Sequence, residues 1–381
     1  MKVLYIVGGD GKGYGSEKIA ISLIDGLSSK GIEFIVITSK GGVVKEYCDT
    51  HHIENYIVDS YLYMYKKSKI RLFDNIKRIL QIVYGFIKDS VAIYKLTKLT
   101  DLSGVDLIHT NITRTMMGGI ISRRYKIPHI WHIQELYTGH YDVYPLMFRQ
   151  TKWMNIHCDK FIAISDTVKN SWIDSGLDSD KLIRVYNGID TKLVSKRVSA
   201  EDGHLKILMV GDICDEKGQL FVVSSISKIV SNVRRSIIID LYGDVREEYR
   251  LKIEKIAKKA DVNVNIKGYC NNIVDILQNY DIGINYSKGE GFGLSTLEYM
   301  LAGLYVIVSN RGANTELICE DAGSVVEYGD EKALADEIIR VFKNKSLINI
   351  VGTKAHNIAS KKFAIDAFYN NVFDIYYSFY R

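Results

Sequence analysis

Short apolar runs alternate with amphipathic stretches along the whole of this 381-residue chain, and this alternation constrains its fold more than any other feature. Each run is a continuous series of Val, Ile, Leu and aromatic residues, which is typical of a strand buried on both faces of a parallel sheet. Each amphipathic stretch places apolar residues three or four positions apart, as in a helix that buries one face. The alternation therefore predicts an α/β protein whose parallel sheets carry helices on both faces.

Two such series follow one another. The predicted strands of the first series are Val3–Val7, Phe34–Thr38, Asp106–His109, His129–Ile133 and Phe161–Ile164. The predicted strands of the second series are Leu205–Val210, Ile237–Tyr242, Val262–Ile266, Ile282–Asn285, Tyr305–Val308 and Ser324–Val326. Because the chain is too long for one ordinary core, the restart of the pattern predicts two Rossmann-like domains that face each other.

The predicted domain bounds follow from where the pattern pauses. Residues 1–190 are expected to form the first domain and residues 205–358 the second, with a polar linker at 191–204. The aromatic, amphipathic segment at 359–381 is predicted to be a closing helix that packs back toward the first domain.

Composition excludes several classes of protein. A net charge of +5, with 25% charged and 47% hydrophobic residues, is ordinary for a globular protein and does not suggest nucleic-acid binding. The five cysteines include no CxxC pair, so neither a disulfide framework nor a zinc site is indicated. The opening apolar run is too short for a signal peptide, and no run reaches the length of a membrane-spanning helix. We therefore expect a cytoplasmic protein.

Residues 61–100 depart from the ordinary composition. They contain nine Lys or Arg residues, two Asp residues and seven aromatic residues, at roughly helical spacing. One interpretation is the solvated basic face of a helix pair. The other is attraction to an anionic membrane surface, where each basic residue contributes about 1 kcal/mol.

A glycine-rich loop at residues 8–15 separates the first predicted strand from the first predicted helix. Glycines let a backbone approach a phosphate, and a helix N-terminus offers free N–H groups. The loop is not a P-loop, because no GK[ST] closes it. The second strand ends in Thr38-Ser39-Lys40 and lacks the acidic residue that binds ribose in dinucleotide folds, so a nicotinamide cofactor is disfavoured.

The strongest local signal is the stretch EGFGLSTLE, which begins at Glu290 and ends at Glu298. It follows a predicted strand and leads into a predicted helix, so both carboxylates would lie near the start of that helix. Carboxylates accept hydrogen bonds from sugar hydroxyls, and bonds to charged groups contribute about 1.5–3 kcal/mol each. The alternative is a pair of acids favoured by the helix dipole alone. The surrounding glycines favour the first interpretation.

With this stretch the sequence resembles the retaining glycosyltransferases of family four, which have the GT-B fold. EGFGLSTLE is similar to the E-x7-E signature of that family. Other segments resemble further family motifs in the expected order: HIWHIQE at 129–135, NGID at 187–190, VGDICDEKG at 210–218, YDI at 280–282 and GANTEL at 312–317.

The resemblance implies roles for individual residues. Glu298 would bind the hydroxyls of the nucleotide ribose, and Glu290 would contact the donor sugar. The other implied donor contacts are the backbone N–H groups near Phe292, Gly293 and Leu294, the Lys217 ammonium at the diphosphate, the His132 ring beside the reacting sugar carbon, and the loop around Gly13 near the phosphates.

The chain departs from the family pattern at Asp212, where the family usually has an arginine that binds the diphosphate together with the lysine. An anion at this position should weaken donor binding unless another cation compensates. Arg311 and Lys288 are the candidates. Arg311 is preferred because it directly precedes the Gly312 loop.

The expected reaction is transfer of a hexosyl unit from a nucleotide diphosphate sugar to a hydroxyl acceptor, with retention of anomeric configuration. A UDP-sugar is favoured and a GDP-sugar is next. Fixed cations and N–H groups would stabilise the leaving diphosphate, so no metal or other cofactor is expected. The expected acceptor is a lipid-linked or growing surface glycan at the inner face of a bacterial membrane.

Two alternatives stay open at this stage. One is a nucleotide-sugar 2-epimerase with the same fold. The other is a non-catalytic nucleotide-sugar-binding protein, which the anion at Asp212 makes conceivable.

Overall fold

A computed structural model describes residues 1–9, 11, 13, 15–66, 74–137, 143–193, 197, 203–270, 272–319 and 321–380, without the side chains of residues 66, 74 and 193. The chain forms two compact units. The first comprises Met1–Asn187 together with Asp366–Arg381, and the second comprises Gly188–Ile365. Each unit is built on one parallel sheet with its own core, which confirms the predicted α/β class with two Rossmann-like domains.

The first unit contains a seven-stranded sheet in which all neighbouring strands are parallel. The strands of this unit are β1 (Lys2–Val7), β2 (Glu33–Thr38), β3 (Glu54–Ile57), β4 (Met64–Lys66), β5 (Leu107–Asn111), β6 (His129–Ile133), β7 (Val143–Pro145), β8 (Lys160–Ala163) and β9 (Leu182–Arg184). Strands β4 and β7 form a separate antiparallel pair. The order across the large sheet is β3-β2-β1-β5-β6-β8-β9. The order reverses between β1 and β5, and α/β proteins bind ligands at the carboxyl ends of strands at such a switch point.

Helices connect these strands. They are α1 (Gly15–Ser28), α2 (Val43–Thr50), α3 (Asp74–Leu99), α4 (Met117–Tyr125), α5 (Gln150–His157) and α6 (Asp166–Ile173). Helix α1 buries Ile19, Leu23, Ile24 and Leu27, which recur at helical spacing and lie against the sheet with at most 3% exposure.

The second unit contains a six-stranded parallel sheet. Its strands are β10 (Leu205–Val210), β11 (Ile237–Tyr242), β12 (Asn263–Gly268), β13 (Ile282–Asn285), β14 (Tyr305–Ser309) and β15 (Ser324–Val326). The order across the sheet is β12-β11-β10-β13-β14-β15, with the switch point between β10 and β13. The helices of this unit are α7 (Gln219–Ser227), α8 (Ser231–Arg234), α9 (Glu247–Ala260), α10 (Leu294–Ala302), α11 (Asn314–Leu317), α12 (Glu331–Lys343) and α13 (Ser346–Lys362).

The last helix, α14 (Ile365–Tyr377), returns to the first unit, as the sequence predicted. Its Tyr369 hydroxyl lies 2.8 Å from Ser22 Oγ, and its Tyr376 hydroxyl lies 2.5 Å from His109 Nδ1. A Cβ at Gly26 would lie 2.3 Å from the Tyr369 ring, so the glycine lets α14 approach α1 closely. The chain therefore closes its first unit with its own C-terminal segment.

Candidate functional site

The loop between β13 and α10 carries the EGFGLSTLE stretch at the carboxyl edge of the second sheet. Gly293 caps α10 with a φ of 99°, a left-handed conformation that favours glycine. A Cβ at this position would lie 2.8 Å from Asn314 Oδ1, so space also requires glycine. Helix α10 starts at Leu294, and its N-terminus directs N–H groups and the positive end of its dipole toward this loop.

Glu290 and Lys217 form an ion pair at this edge. Lys217 Nζ lies 2.9 Å from Glu290 Oε2. The Lys217 side chain is 21% exposed and the Glu290 side chain is 15% exposed. Lys217 ends the short 3-10 turn Asp215–Lys217, which follows β10, whereas Glu290 follows β13. The two predicted residues therefore meet across the switch point of the second sheet, where the strand order favours ligand binding.

The Gly312 loop, which follows β14, holds the backbone of Glu290. Gly312 has a φ of 69°, and a Cβ there would lie 2.2 Å from Glu290 N and 2.4 Å from Glu290 O. The adjacent Ala313 N–H donates to Glu290 O at 2.8 Å. The loops after β13 and β14 thus converge on Glu290.

A chain of buried polar side chains supports the same loop. Asn285 Oδ1 accepts a hydrogen bond from Ser287 Oγ at 2.7 Å, and Asn285 Nδ2 donates to Thr296 Oγ1 at 2.9 Å. Thr296 Oγ1 in turn donates to Asn314 Oδ1 at 2.9 Å. Ser287 Oγ also lies 3.4 Å from Glu290 Oε2. This network, which the sequence analysis did not identify, ties β13, α10 and α11 together beneath Glu290.

Phe292 and Glu298 differ in their surroundings. Phe292 is 3% exposed, and its ring packs against the Phe363 ring with a centroid distance of 5.9 Å. Phe292 therefore anchors the loop through its side chain, and the contact of its backbone N–H with a donor stays a prediction. Glu298 is half-buried on α10, and its binding of ribose stays a prediction.

The cations considered as substitutes for the missing arginine lie in different settings. Lys288 Nζ pairs with the Asp215 carboxylate, so a neighbouring acid already neutralises its charge. Arg311 is exposed at the start of the Gly312 loop and makes no ion pair within the described part of the chain. Asp212 is half-buried, and its backbone oxygen accepts a hydrogen bond from Gln219 Nε2 at 3.0 Å. Arg311 stays the preferred candidate.

In the first unit, backbone N–H groups of the glycine loop bind the side-chain carboxylate of Glu17. Gly11 N–H donates to Glu17 Oε1 at 2.9 Å, and Gly13 N–H donates to Glu17 Oε2 at 2.7 Å. Glu17 is 4% exposed in the first turn of α1. The loop therefore has the anion-binding character that glycine-rich turns favour. The Gly13 N–H predicted to lie near phosphates is engaged by Glu17, while residues 10, 12 and 14 lie outside the described residues.

His132 lies in the core of the first unit. It is 0% exposed, and neither ring nitrogen has a hydrogen-bond partner among the described residues. Its ring lies 5.3 Å from the His109 ring and 6.4 Å from the Phe368 ring of α14. Burial lowers the pKa of His132 to about 3, which keeps the ring neutral. The structure does not bring this ring to the surface of its unit, and its contact with a donor sugar stays a prediction.

Two residues of the HIWHIQE motif do reach the carboxyl edge of the first sheet. Gln134 Nε2 donates to Asn111 Oδ1 at 2.9 Å. Glu135 Oε1 accepts hydrogen bonds from Thr113 N at 3.0 Å and from Thr113 Oγ1 at 2.5 Å. Both side chains are partly exposed just after β6. The resemblance of this motif to the family pattern pointed to His132, and neither Gln134 nor Glu135 was predicted to belong to a site. The sequence signal that could have identified Gln134 and Glu135 is their position directly after a predicted strand.

Ile112 adds backbone strain at the same edge. Its φ is 97°, which is rare and unfavourable for a β-branched residue. Its N–H donates to His132 O at 2.9 Å, and its carbonyl accepts a hydrogen bond from Trp131 Nε1 at 2.7 Å. A Cβ at Gly8 would lie 2.2 Å from Ile112 Cδ1, so Gly8 provides the space. Strain held by such contacts concentrates at functional sites, and this edge is the candidate site of the first unit.

Two family models match the chain. The model described as Glycosyltransferase Family 4 matches residues 14–193, and the model described as Glycosyl transferases group 1 matches residues 191–358. Together they span most of both units.

Similar sequences include two bacterial glycosyltransferases. The UDP-Gal:alpha-D-GlcNAc-diphosphoundecaprenol alpha-1,3-galactosyltransferase of Escherichia coli is 25% identical over 327 residues, which are 77% of this chain and 80% of that protein. The capsular polysaccharide biosynthesis glycosyltransferase CapM of Staphylococcus aureus is 23% identical over 376 residues, which are 94% of this chain and 93% of that protein.

Solved structures share the fold. HepE of Anabaena in complex with UDP aligns with a TM-score of 0.80 at 18% identity and covers 99% of this chain and 100% of its own. A glycosyltransferase from Rickettsia africae aligns with a TM-score of 0.78 at 19% identity and covers 100% of this chain and 98% of its own. The two family matches and the shared GT-B fold show that this chain belongs to the family 4 glycosyltransferases, group 1, which act on nucleotide sugars.

Proposed function

We propose that this glycosyltransferase moves a hexosyl unit from a nucleotide diphosphate sugar to a hydroxyl of a lipid-linked or growing surface glycan, with retention of configuration and without a metal. The observation that carries the proposal is the Lys217–Glu290 pair, held at the switch point of the second sheet by the Gly312 loop. This pair brings a cation and a carboxylate together at one edge, beside the N-terminus of α10.

The pair suits a diphosphate donor. A lysine ammonium has three N–H donors, and Glu290 accepts one of them. Glu290 can therefore orient the Lys217 ammonium, and the positive charge of Lys217 would neutralise the donor diphosphate. The N-terminus of α10 adds backbone N–H groups for the same charge. Groups fixed in this way stabilise a leaving diphosphate without reorganisation during the reaction.

In the proposed reaction, the bond between the anomeric carbon and the diphosphate oxygen breaks, and the diphosphate keeps the electron pair. The acceptor hydroxyl forms the new bond to the anomeric carbon from the same face of the sugar. Its proton passes to the leaving phosphate oxygen. Lys217 and the α10 N–H groups are proposed to stabilise the charge that develops on that oxygen.

Similar proteins support a UDP-sugar as the first donor to test. The Escherichia coli relative is named for UDP-Gal, and structures of HepE contain UDP and UDP-glucose. A GDP-sugar is the second choice.

Similar proteins also support a lipid-linked or surface glycan as the acceptor. The Escherichia coli relative is named for a diphosphoundecaprenol acceptor, and the Staphylococcus aureus relatives are named for capsular polysaccharide biosynthesis. Helix α3 lies within the basic segment at 61–100, of which residues 67–73 lie outside the described residues. Among the described helices, none is long and apolar enough to cross a bilayer. We therefore propose peripheral association with the inner membrane face.

Thermal unfolding in the presence of UDP-, GDP-, ADP- and dTDP-sugars tests the donor part of this proposal. A ligand at about a hundred times its dissociation constant adds about 2.7 kcal/mol to the free energy of unfolding. We expect UDP-sugars to raise the Tm, EDTA to leave that shift unchanged, and Lys217→Gln to abolish it. Lys228→Gln, which removes a cation paired with Glu331 elsewhere in the second unit, should keep the shift.

Two results would contradict the proposal. Absence of a shift with every nucleotide sugar would exclude this donor site. Formation of an epimerised nucleotide sugar without any acceptor would indicate an epimerase in place of a transferase.

A further inference from the structure

Helix α3 exposes a row of apolar side chains. Six of them follow one another three or four positions apart, which places them on one face of the helix, and each is 49–65% exposed. We call this row the α3 stripe: Ile76, Leu80, Val83, Ile87, Val91 and Tyr94. From its first to its last residue the stripe is about 27 Å long. A continuous exposed apolar surface of this kind marks an interaction site.

The opposite face of α3 is packed into the first unit. Ala92, Ile93 and Leu96 are 0–5% exposed and belong to the hydrophobic core of that unit. Gly85 lies so close to the Tyr61 and Tyr63 rings that a Cβ would lie 2.6 Å from the first and 3.0 Å from the second. The helix therefore turns its stripe outward because its other face is already buried.

Polar contacts fix this orientation at two further points. The buried Asp89 carboxylate accepts hydrogen bonds from Tyr61 N at 2.7 Å and from the Tyr63 hydroxyl at 3.0 Å. The Arg78 guanidinium lies 4.3 Å from the Tyr65 ring centroid and 4.1 Å from that of Phe148. Rotation of α3 to bury the stripe would break these contacts.

The charges beside the stripe are predominantly positive. Lys77, Lys95 and Lys98 are exposed on the same helix, and Lys98 Nζ lies 5.4 Å from the Tyr94 ring. Lys88 pairs with Asp59, the neighbouring acid. Among the described side chains of α3, the one acid is Asp89, which is buried.

We propose that the α3 stripe docks onto the surface of an anionic lipid bilayer, with α3 lying in the plane of the interface. In that position the apolar side chains enter the boundary of the acyl chains, and the lysines reach lipid phosphates along their flexible stems. A second copy of the chain is disfavoured as the occupant, because pairing two stripes would bring the lysines of both copies together. The proposal adds a docking surface to the membrane location proposed above and does not depend on the transferase chemistry.

Cosedimentation with vesicles tests the apolar part of the proposal. The vesicles contain either phosphatidylcholine alone or phosphatidylcholine mixed with phosphatidylglycerol. The full chain should bind the anionic vesicles, and Val83→Ser/Ile87→Ser should lower its partition coefficient about tenfold or more. Val230→Ser/Leu251→Ser removes two side chains of similar exposure from the second unit and should bind like the wild type.

A second pair of variants tests the charges. Lys77→Gln/Lys95→Gln should weaken binding to anionic vesicles and reduce its dependence on salt. Lys258→Gln/Lys259→Gln makes the same change of charge on α9 and should have a much smaller effect. All variants should keep the thermal shift with a donor, which shows that they are folded and separates this proposal from the proposed donor chemistry.

Three outcomes would overturn the proposal. In the first, the wild type binds neither vesicle. In the second, the stripe variant binds as tightly as the wild type. In the third, the wild type sediments as a dimer without lipid and the stripe variant is monomeric, which would assign the stripe to a second copy.

Discussion

At the scale of single residues, the candidate donor site depends on a few close backbone approaches as much as on charged side chains. Gly312 lets the next loop lie against the backbone of Glu290, whose side chain pairs with Lys217. Gly293 allows a similarly close approach at the start of α10, where a Cβ would lie 2.8 Å from Asn314 Oδ1. Glycine at these positions is therefore part of the site, although it contributes no functional group.

Gly312→Ala tests this dependence. The new Cβ would lie 2.2 Å from Glu290 N, so the Glu290 loop must move, and we expect loss of the thermal shift with UDP-sugars. Gly329→Ala is the matched control, because Gly329 also has a positive φ, 95°, but nothing within 4 Å of its Cβ position. The control should lose about 1–2 kcal/mol of stability through backbone strain and keep its donor response. Equal donor responses in the two variants would contradict this role for Gly312.

The sequence predicted one half of the candidate site better than the other. Glu290 could be selected because glycines and an adjacent strand and helix surround it, whereas Lys217 was selected through the resemblance of its segment to a family motif. The network from Asn285 through Thr296 to Asn314 could not, because its members are ordinary polar residues whose partners are known only once the loops converge. His132 was selected through the resemblance of its segment to a family motif, but the strand pattern does not reveal that Phe368 of α14, more than 200 residues later in the chain, packs near its ring.

At the scale of elements, alternation of apolar runs and amphipathic stretches was sufficient to predict the central strands. Strands β3, β4, β7 and β9 were missed because they are three or four residues long and partly exposed, so they leave no apolar run in the sequence. Helix α3 was flagged by its basic composition. Its exposed apolar stripe became apparent only when its opposite face was seen in the core.

Asp89 couples the position of α3 to pH. Burial raises the pKa of Asp89 to about 6 from an ordinary value of 3.8, although hydrogen bonds from Tyr61 and Tyr63 oppose that shift. Between about pH 4 and pH 6, the Asp89 carboxyl is therefore protonated in the folded protein and ionised in the unfolded chain. The contribution of Asp89 to stability is greatest below this window and falls as pH rises through it, by at most about 3 kcal/mol.

Urea unfolding of the wild type and of Asp89→Asn across this window measures the effect. The difference between the free energies of unfolding of the two proteins should change with pH, with the wild type losing stability relative to the variant as pH rises from 4 to 6. Asp59→Asn, which alters an exposed carboxylate near α3, is the matched control and should follow the wild type. A pH-independent difference for Asp89→Asn would show that this carboxyl does not titrate in the window.

At the scale of the whole molecule, the chain builds two parallel sheets with separate cores and then returns to the first unit with α14. The family matches follow the same division, one on each half. Two polar contacts join described residues of α14 to other parts of the first unit: the partly buried pair of Tyr369 with Ser22 and the buried pair of Tyr376 with His109. Tyr376 is 0% exposed, and its hydroxyl is the one described partner of His109 Nδ1.

Tyr376→Phe tests whether the C-terminal helix stabilises the first unit specifically. The change leaves His109 Nδ1 without that partner, while His109 Nε2 already has none among the described residues. A buried polar group left unpaired costs about 1–3 kcal/mol. Hydrogen–deuterium exchange should therefore accelerate in peptides from β1, β5 and β6 and stay unchanged in peptides from β10 and β13. Tyr377→Phe, which alters an exposed tyrosine on the same helix, should change neither set. Equal acceleration in both units would mean that the two cores do not unfold independently, and no acceleration in either would mean that α14 is held by its apolar contacts alone.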